Sequence, residues 1–498
     1  MKLTSEDRTL FRLVQESSNV NPFGKKLIEI HQAIVKNNSL QDENALIDLV
    51  LEKVLMCLNR LRSENKCVLD EYSGEDRALL HRVLLYEVYY RFADDFDLLI
   101  DQQVREGDEP CVVPFARDAL QQLCQCGCSE EVALRYFAFF YQLRRAFYFI
   151  HRNVVGNCPS VDSLRCQLWS AVFTDNSQWY EGFLWNRMED FSTLLLGETG
   201  TGKGTAAAAI GRSGFIPFDS KGGKFTESFT RNFIAVNLAQ FPETLIESEL
   251  FGHKKGSFTG AVEDHPGIFA LCTPHGSVFL DEIGDASIPV QIKLLQVLQE
   301  RSFSPIGSHQ KKRFSGRVIA ATNHPLSELG RQGDFREDFF YRLCSNVITL
   351  PTLRRRLEED PGELDLLIQT IANRTLGQSM SEFVMKIKSV LKRDLPPQYP
   401  WPGNVRELEQ AIRRNILCGS YQGNIFIRPG FNDLSCHLIH SLNEGNLSAA
   451  KLVEGYCLLQ YQRFRNFEEV ARRTGLDRRT VKKYVQEAGS WISENPAH

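Results

Sequence analysis

The chain has 498 residues, 43% of them hydrophobic and 24% charged, with a formal net charge of -4. That length suits about three domains, and the composition excludes collagen-like and strongly disordered classes. The slight acidity excludes a uniformly basic coat, so any contact with nucleic acid has to be local.

The opening, MKLTSEDRTL, has neither the basic nor the apolar region of a signal peptide. No later run approaches the roughly 18 apolar residues of a membrane span, so a cytoplasmic location without membrane contact is expected. From residue 1 to about 152 there is no glycine-rich motif, and apolar residues recur at three- and four-residue spacing. This predicts an all-α domain, a candidate signal receiver. Leu46, Leu49, Val50, Val54 and Leu55 form one predicted face, and Leu79, Leu80, Val83, Leu84, Val88 and Tyr89 another. Ser129 followed by Glu130 and Glu131 predicts a capped helix running to Ile150. That helix is crowded with aromatics, among them Tyr136, Phe137, Phe139, Phe140 and Tyr141. Apolar residues on nearly every face predict burial against a neighbouring domain. Cys111, Cys124, Cys126 and Cys128 lack the spacing of common structural zinc sites, and the 13 cysteines of the chain are expected to be reduced core thiols.

The apolar run Ser192 to Leu196 leads into Gly197, Glu198, Thr199, Gly200, Thr201, Gly202 and Lys203, then Gly204 and Thr205. Strand, glycine loop and helix in that order are the context of a phosphate-binding loop. The glycines let backbone N–H groups turn toward phosphates, Lys203 supplies charge to the β and γ groups, and the helix start adds its dipole. Gly204 stands where Ser or Thr would reach a magnesium ion, with Thr205 the neighbouring hydroxyl. A second signature, VFLDE at 278–282, is a short apolar strand ending in two carboxylates. Asp281 is placed to hold Mg2+, and Glu282 to orient and activate water that attacks ATP. Between the two signatures, Gly256, Ser257, Phe258, Thr259, Gly260 and Ala261 set one aromatic and one hydroxyl between glycines, a composition suited to an exposed loop tip.

From about Val154 to Ser420 these pieces resemble the bacterial enhancer-binding proteins, the AAA+ activators of sigma-54 RNA polymerase. The resemblance implies an α/β AAA+ ATPase core at 153–349 and a helical lid at 350–420. It makes 256–261 the sigma-factor contact, with Ser257 where the family usually has Ala. It implies that Asn237 pairs with the catalytic Glu282 and that Asn323, ending the strand-like RVIAATN, senses the γ-phosphate. Arg336 and Arg342 would be supplied to a neighbouring subunit's nucleotide. About 600° of helical rotation separates them, so on one helix they would face different ways. Arg406, in WPGNVREL, would reach the nucleotide from the lid, on a helix that Asn404 is expected to cap. The segment from Phe303 to Arg317 resembles the family's second surface loop, and 213–230 is longer than usual. The resemblance also implies a homo-oligomeric ring, expected to be a hexamer, in which these arginines are shared between neighbours.

After a linker at 421–446, helical spacing resumes over 447–498. In NFEEVARRTGLDRRTVKKYVQEA, Ala471, Gly475 and Val481 fall where a helix-turn-helix needs a small residue, a turn glycine and a core residue. Asp477 is placed to cap the second helix, whose Arg478, Arg479, Thr480, Lys482 and Lys483 are candidates for contact with double-stranded DNA. The whole reads as a multidomain, sigma-54-dependent activator acting on RNA polymerase holoenzyme. The alternatives are a DNA-bound regulator that uses ATP only as a ligand or assembly signal, and an AAA+ remodeller of another protein.

Overall fold

A computed structural model describes residues 1–40, 42–325, 335–376, 381–396, 398–421, 423, 438, 448–464 and 466–494. They fall into two compact units, 1–421 and 422–498. The first opens with seven helices: α1 (Ser5–Ser17), α2 (Lys25–Val35), α3 (Glu43–Ser63), α4 (Gly74–Arg91), α5 (Ala93–Glu106), α6 (Ala116–Gln125) and α7 (Glu130–Asn153). Their starts follow the local chemistry. Asp42 accepts the N–H groups of Asn44 and Ala45, and Ser129 accepts that of Val132, as N-caps do. In α3 the buried stripe is Leu46, Val50, Val54, Leu58 and Leu61. Leu49, expected in that stripe, turns outward and is 37% exposed, because the stripe advances mainly in steps of four.

The helix α8 (Pro159–Phe173) leads into strand β1 (Thr193–Leu196) and helix α9 (Lys203–Gly211). A two-residue-per-strand hairpin, β2 (Phe218–Asp219) and β3 (Lys224–Phe225), precedes β4 (Phe233–Asn237) and α10 (Glu243–Phe251). Then come β5 (Ser277–Asp281), α11 (Ile288–Glu300), the hairpin β6 (Ser302–Phe303) and β7 (Lys312–Arg313), β8 (Arg317–Thr322), α12 (Glu337–Leu343) and β9 (Asn346–Thr349). Five strands form a parallel sheet in the order β4-β5-β8-β1-β9. Parallel strands are covered on both faces, so they read as continuous apolar runs; every residue of β8 is buried. The carboxyl ends of all five strands therefore point to one edge, where open α/β sheets bind ligands. Beyond the sheet, α13 (Leu353–Glu359), α14 (Glu363–Leu376), α15 (Ser381–Asp394) and α16 (Asn404–Cys418) pack around Ile368, Ile387, Leu408 and Ile412.

One apolar core runs from Leu3 through α7 and α8 into Leu195 of β1 and on to Leu350. Its densest part is the contact between α7 and the segment 213–230. Phe225 stacks on Tyr141 at 3.9 Å and on Phe137 at 5.8 Å between centroids, and Phe229 meets the edge of Phe149. Arg145 is wholly buried, with burial pushing its pKa down to about 10. Its guanidinium donates to the Arg212 and Gly214 carbonyls at 2.7 and 2.6 Å, just past the end of α9. A cation there meets the negative end of the helix dipole. The long 213–230 segment is thus the surface on which the amino-terminal helices seat. The cysteines follow the same logic. Burial raises the thiols of Cys111, Cys126 and Cys128, that of Cys126 to about 12, which disfavours the reactive thiolate. Among the described residues no cluster of His, Cys, Asp and Glu could hold a metal ion, and no helix is long and apolar enough to cross a membrane.

The second unit contains α17 (Ala449–Phe464), α18 (Phe467–Thr474) and α19 (Arg478–Glu494). Val470, Val481 and Ala488 are buried between them. Gly475 ends α18 at φ +70°, a left-handed position that suits glycine. Asp477 accepts the N–H groups of Arg479 and Thr480 and so caps α19. The start of the 447–498 segment and the 421–446 linker lie largely outside the described residues.

Phe225→Ala removes a ring buried against two α7 aromatics and is expected to cost about 3–5 kcal/mol. The check is denaturant unfolding of the full chain followed by circular dichroism; a loss under about 1 kcal/mol would mean that the hairpin does not hold α7.

Candidate nucleotide site and surface loops

The phosphate loop joins β1 to α9, so Gly197 to Gly202 lie at the carboxyl edge of the sheet and Lys203 begins the helix. Gly200 and Gly202 adopt φ of +83° and +99°, conformations that residues bearing a Cβ rarely adopt. Lys203 is 7% exposed. Its ammonium donates to the Gly197 carbonyl at 2.8 Å and lies 3.4 Å from that of Glu198. Burial lowers its pKa, while the charges of Glu282 and Asp281 act in the opposite sense and that of Arg406 adds to the lowering. These four groups therefore share one electrostatic environment, although they come from α9, the end of β5 and α16.

Asp281 is the last residue of β5 and pairs in register with Asn237, the last of β4. One Asp281 oxygen accepts the Glu282 N–H at 3.1 Å. Glu282 itself takes φ +54°, turning out of the strand in the left-handed region, a strained position of the kind that gathers at functional sites. Its carboxylate accepts the Asn323 N–H at 3.3 Å, and the Asn323 amide approaches the Thr199 hydroxyl at 3.4 Å. Asn323 thus bridges the acid and the phosphate loop. Asn237, expected to pair with Glu282, instead accepts the Ala239 N–H at 3.0 Å, and no bond joins it to Glu282 among the described residues.

The two arginines separate. Arg336 precedes α12 as its N-cap residue, with an exposed guanidinium paired to Asp338 at 2.7 Å. Arg342, in the last turn, donates to the Leu298 carbonyl at 3.1 and 3.2 Å, a carbonyl near the end of α11. Arg336 sits at the cap and Arg342 on the helix itself, and both reach the surface, Arg342 being the more exposed residue. Residues 326–334, just before them, lie outside the described residues.

The helices expected to form the lid are bonded directly to the phosphate loop. The Val405 N–H donates to the Gly200 carbonyl at 3.1 Å. A Cβ on Gly200 would lie 2.1 Å from the Gly403 oxygen and 2.9 Å from the Arg406 Cβ. Asn404 does not cap α16: Gly403 holds the cap position, Asn404 follows it as the first residue with a left-handed φ of +51°, and its side chain is drawn elsewhere. Its amide nitrogen donates to Glu198 and to the Thr199 carbonyl, and its oxygen accepts the Leu353 N–H at 2.8 Å. Arg354 clasps Glu198 from α13 and, with Asn404, holds that carboxyl below its usual range.

Alongside runs a partly open cleft of about 150 Å³ lined by Val154, Val155, Val161, Leu164, Leu350 and Ile371, reaching Thr201, Gly202 and Thr205. A cleft with these apolar side chains in its wall, beside a phosphate loop, suits a nucleoside base. Sequence reasoning missed these lining residues, which are scattered over four segments; only the Val154-Val155-Gly156 turn after a long helix was a local signal. The site fits ATP. Asp281 keeps one carboxylate oxygen without a hydrogen-bond partner among the described residues, enough for Mg2+, which takes one or two carboxylates and completes its shell with phosphate and water. Gly204 offers no hydroxyl, and Thr205 is exposed on α9.

The loop 256–261 stands away from this site. Gly256 and Gly260 adopt φ of +79° and +104°, and the Gly256 N–H bonds to the Ala261 carbonyl. Phe258 is 37% exposed, with its ring against His253 at 4.9 Å, and Thr259 is exposed. The loop leans on the segment following β6. Lys254 donates to the Ile306 carbonyl, Ile306 donates to Gly252, and a Cβ on Gly307 would meet Ser257 Cβ at 2.6 Å. The two surface loops are thereby tied main chain to main chain.

Residues 183–350 match the family described as the Sigma-54 interaction domain. Over those residues the chain is similar to the sigma-54 activators. It is 41% identical over 227 residues to the DNA-binding transcriptional regulator NtrC of Azospirillum brasilense, covering 45% of this chain and 43% of that one. It is 42% identical over 235 residues to the sigma54-dependent transcriptional activator SfnR of Pseudomonas putida, covering 46% and 57%. A Nif-specific regulatory protein of Azotobacter vinelandii matches at 38% over 260 residues, 52% and 46%. The chain spans about half the length of the curated relatives it matches. The sigma-54 interaction domain is of the AAA+ ATPase class, and its phosphate loop, paired acids and exposed Phe-Thr loop all fall within the matched residues.

Gly200→Ala adds a clash with the lid at a positive-φ position, about 1–3 kcal/mol of strain. It is expected to weaken binding of a fluorescent ATP analogue about tenfold or more, as read by titration; unchanged affinity would show that lid docking on the loop does not matter to the nucleotide.

Proposed function

We propose that this protein is a sigma-54-dependent transcriptional activator that hydrolyses ATP between subunits of a ring, moves its Phe-Thr loop against the sigma factor of RNA polymerase holoenzyme and so opens promoters. The observation that carries this reading is the joining of the two surface loops, one presenting Phe258 and Thr259, in a domain whose paired acids converge with Lys203 at the sheet edge.

Lys203 and the phosphate-loop N–H groups bind the phosphates, and the apolar cleft holds the base. Bound magnesium neutralises phosphate charge, and Asp281 would hold it. Glu282 orients the attacking water and accepts its proton. Asn323, bonded to Glu282 and reaching Thr199, reports whether the γ-phosphate is present. Arg336, whose guanidinium is paired with Asp338 near the surface, is placed to reach a neighbouring subunit, where a supplied arginine is worth about 10³–10⁵ in rate. Arg342, tied to the α11 carbonyl, contributes by holding α12 in place unless assembly releases it. Arg406 adds positive charge from the lid.

The second unit acts as a helix-turn-helix. Asp477 and Gly475 fix the angle at which α19 leaves α18, and Arg478, Arg479, Thr480, Lys482 and Lys483 lie on its first two turns. Of these, Arg478 pairs with Glu468 at 3.0 Å, an exposed contact that phosphate readily replaces.

Glu282→Gln is expected to abolish turnover while leaving ATP binding intact, and Thr259→Ala to keep ATPase activity while losing open-complex formation in a reconstituted transcription assay. Normal promoter opening by the Thr259 variant would reject the sigma-factor reading. Lys482→Ala should lower the salt slope of DNA affinity by about one; an unchanged slope in a titration across ionic strength would remove that residue from the DNA contact.

A further inference from the structure

The turn leaving α7 is held by side chains from two other elements. Arg165 of α8 donates to the Val154 carbonyl at 2.8 and 3.2 Å and to the Gly156 carbonyl at 2.7 Å. Arg356 of α13 donates to the carbonyl between them, that of Val155, at 2.6 Å. Three consecutive peptide oxygens thus end on guanidinium groups, which make stronger bonds than neutral donors. Arg356 is buried, and its partner Glu363, the first residue of α14, is wholly so. One Glu363 oxygen accepts from Arg356 Nε at 3.0 Å; the other accepts the N–H groups of Asn157 and, at 3.0 Å, of Cys158. Those two N–H groups precede α8, whose N-cap residue Cys158 makes no side-chain cap bond. The carboxylate of another helix therefore sits at the positive end of α8, and Glu359 at the end of α13 adds a bond to the Ser160 N–H at 2.8 Å. At Gly156 there is no space for a side chain: a Cβ would lie 2.7 Å from Arg356 Nη2 and 2.8 Å from Glu363 Oε2.

A buried ion pair stabilises a fold only weakly, because desolvation offsets most of the attraction, so what it joins says more about its use than its strength does. Here it joins two contributors to one cleft. Val154 and Val155, from the turn, and Leu367 and Ile371, from α14, line the hollow beside the phosphate loop. Leu367 and Ile371 follow Glu363 at steps of four, on one face of the helix. We propose that Arg356 and Glu363 are positioning residues for the nucleoside part of the nucleotide: by fixing the turn against α14 they set the gap into which the base fits. This role rests on the proposed placing of the base in the cleft. Among the described residues none of the pair's hydrogen bonds goes to residues 197–203, so the pair acts on the base and leaves the phosphates to Lys203 and its loop.

The test titrates the full chain calorimetrically with ADP and with pyrophosphate, which share the diphosphate and differ by the nucleoside. Glu363→Gln alone would leave the Arg356 charge buried and unpaired and so loosen the fold, whereas Arg356→Met combined with Glu363→Leu removes both charges together, the better-tolerated change. Gly156→Ala disturbs the pair from the side of the turn without altering any charge. The paired replacement and Gly156→Ala are each expected to weaken ADP about tenfold or more and pyrophosphate by less than about twofold, since only the preorganised gap for the base is lost. In turnover of ATP they should raise KM with kcat little changed, the pattern of lost uniform binding. In a wild type that prefers ADP, a preference that either variant retains in full, even through equal weakening of both ligands, would overturn the positioning role and leave the base in the cleft. A wild type that binds pyrophosphate as tightly as ADP would remove the base from the cleft, and the positioning role with it.

Discussion

The ammonium of Lys203 is buried where the parallel strands end, and the rest of the molecule can be read from what that buried charge requires. A cation taken out of water needs acceptors and opposing charge. The acceptors are carbonyls of its own loop, Gly197 and Glu198, and the opposing charges are Asp281 and Glu282 at the end of β5, two strands away from β1 in the sheet. In the proposed function a triphosphate would supply both more strongly, releasing the loop carbonyls and leaving the two acids for metal and water. Arg406 already counts among the charges acting on Lys203, which brings the lid into the same balance.

From that balance, two routes lead outward. One runs through Asn323 to Glu282 and the sheet edge, and through Asn237, which sits opposite Asp281 and ends the strand preceding α10. The surface loop leaves from the far end of α10, and its backbone is bonded to the second hairpin, so the two move as one body. The other route runs inward along α9 to Arg145 and the aromatic face of α7. A single helix thus has the phosphate loop at its start and the amino-terminal helices at its end. The amino-terminal region needs no long lever to reach the nucleotide, because it shares a core with it.

Much of this architecture was legible in the residues. Glycine spacing and a buried strand ending in Asp-Glu named the phosphate loop and the acids, since few other uses call for those residues in that order. Ser129 and Asp477 marked helix starts because a short oxygen side chain there has a backbone donor to satisfy. What was not legible depended on distant partners. The aromatics of α7 read as buried, yet nothing local divides those that stack on the 213–230 hairpin from the rest. Asn404 read as a cap because it follows Pro-Gly, while its contacts to Glu198 and Leu353 are set by how the lid docks. Arg336 and Arg342 look alike in sequence. Only the position of α12 pairs one with Asp338 and the other with the Leu298 carbonyl.

The most direct measurement is photo-crosslinking to purified sigma-54 from a benzoylphenylalanine placed at Phe258, with the protein trapped in turn in its ADP, ATP-analogue and hydrolysis-transition-state forms. Crosslinks that appear strongly in one trapped state and fade in the ADP form are the result expected if nucleotide chemistry moves this loop. Hydrolysis proceeding normally with no crosslink to the sigma factor in any of the three states would contradict the account.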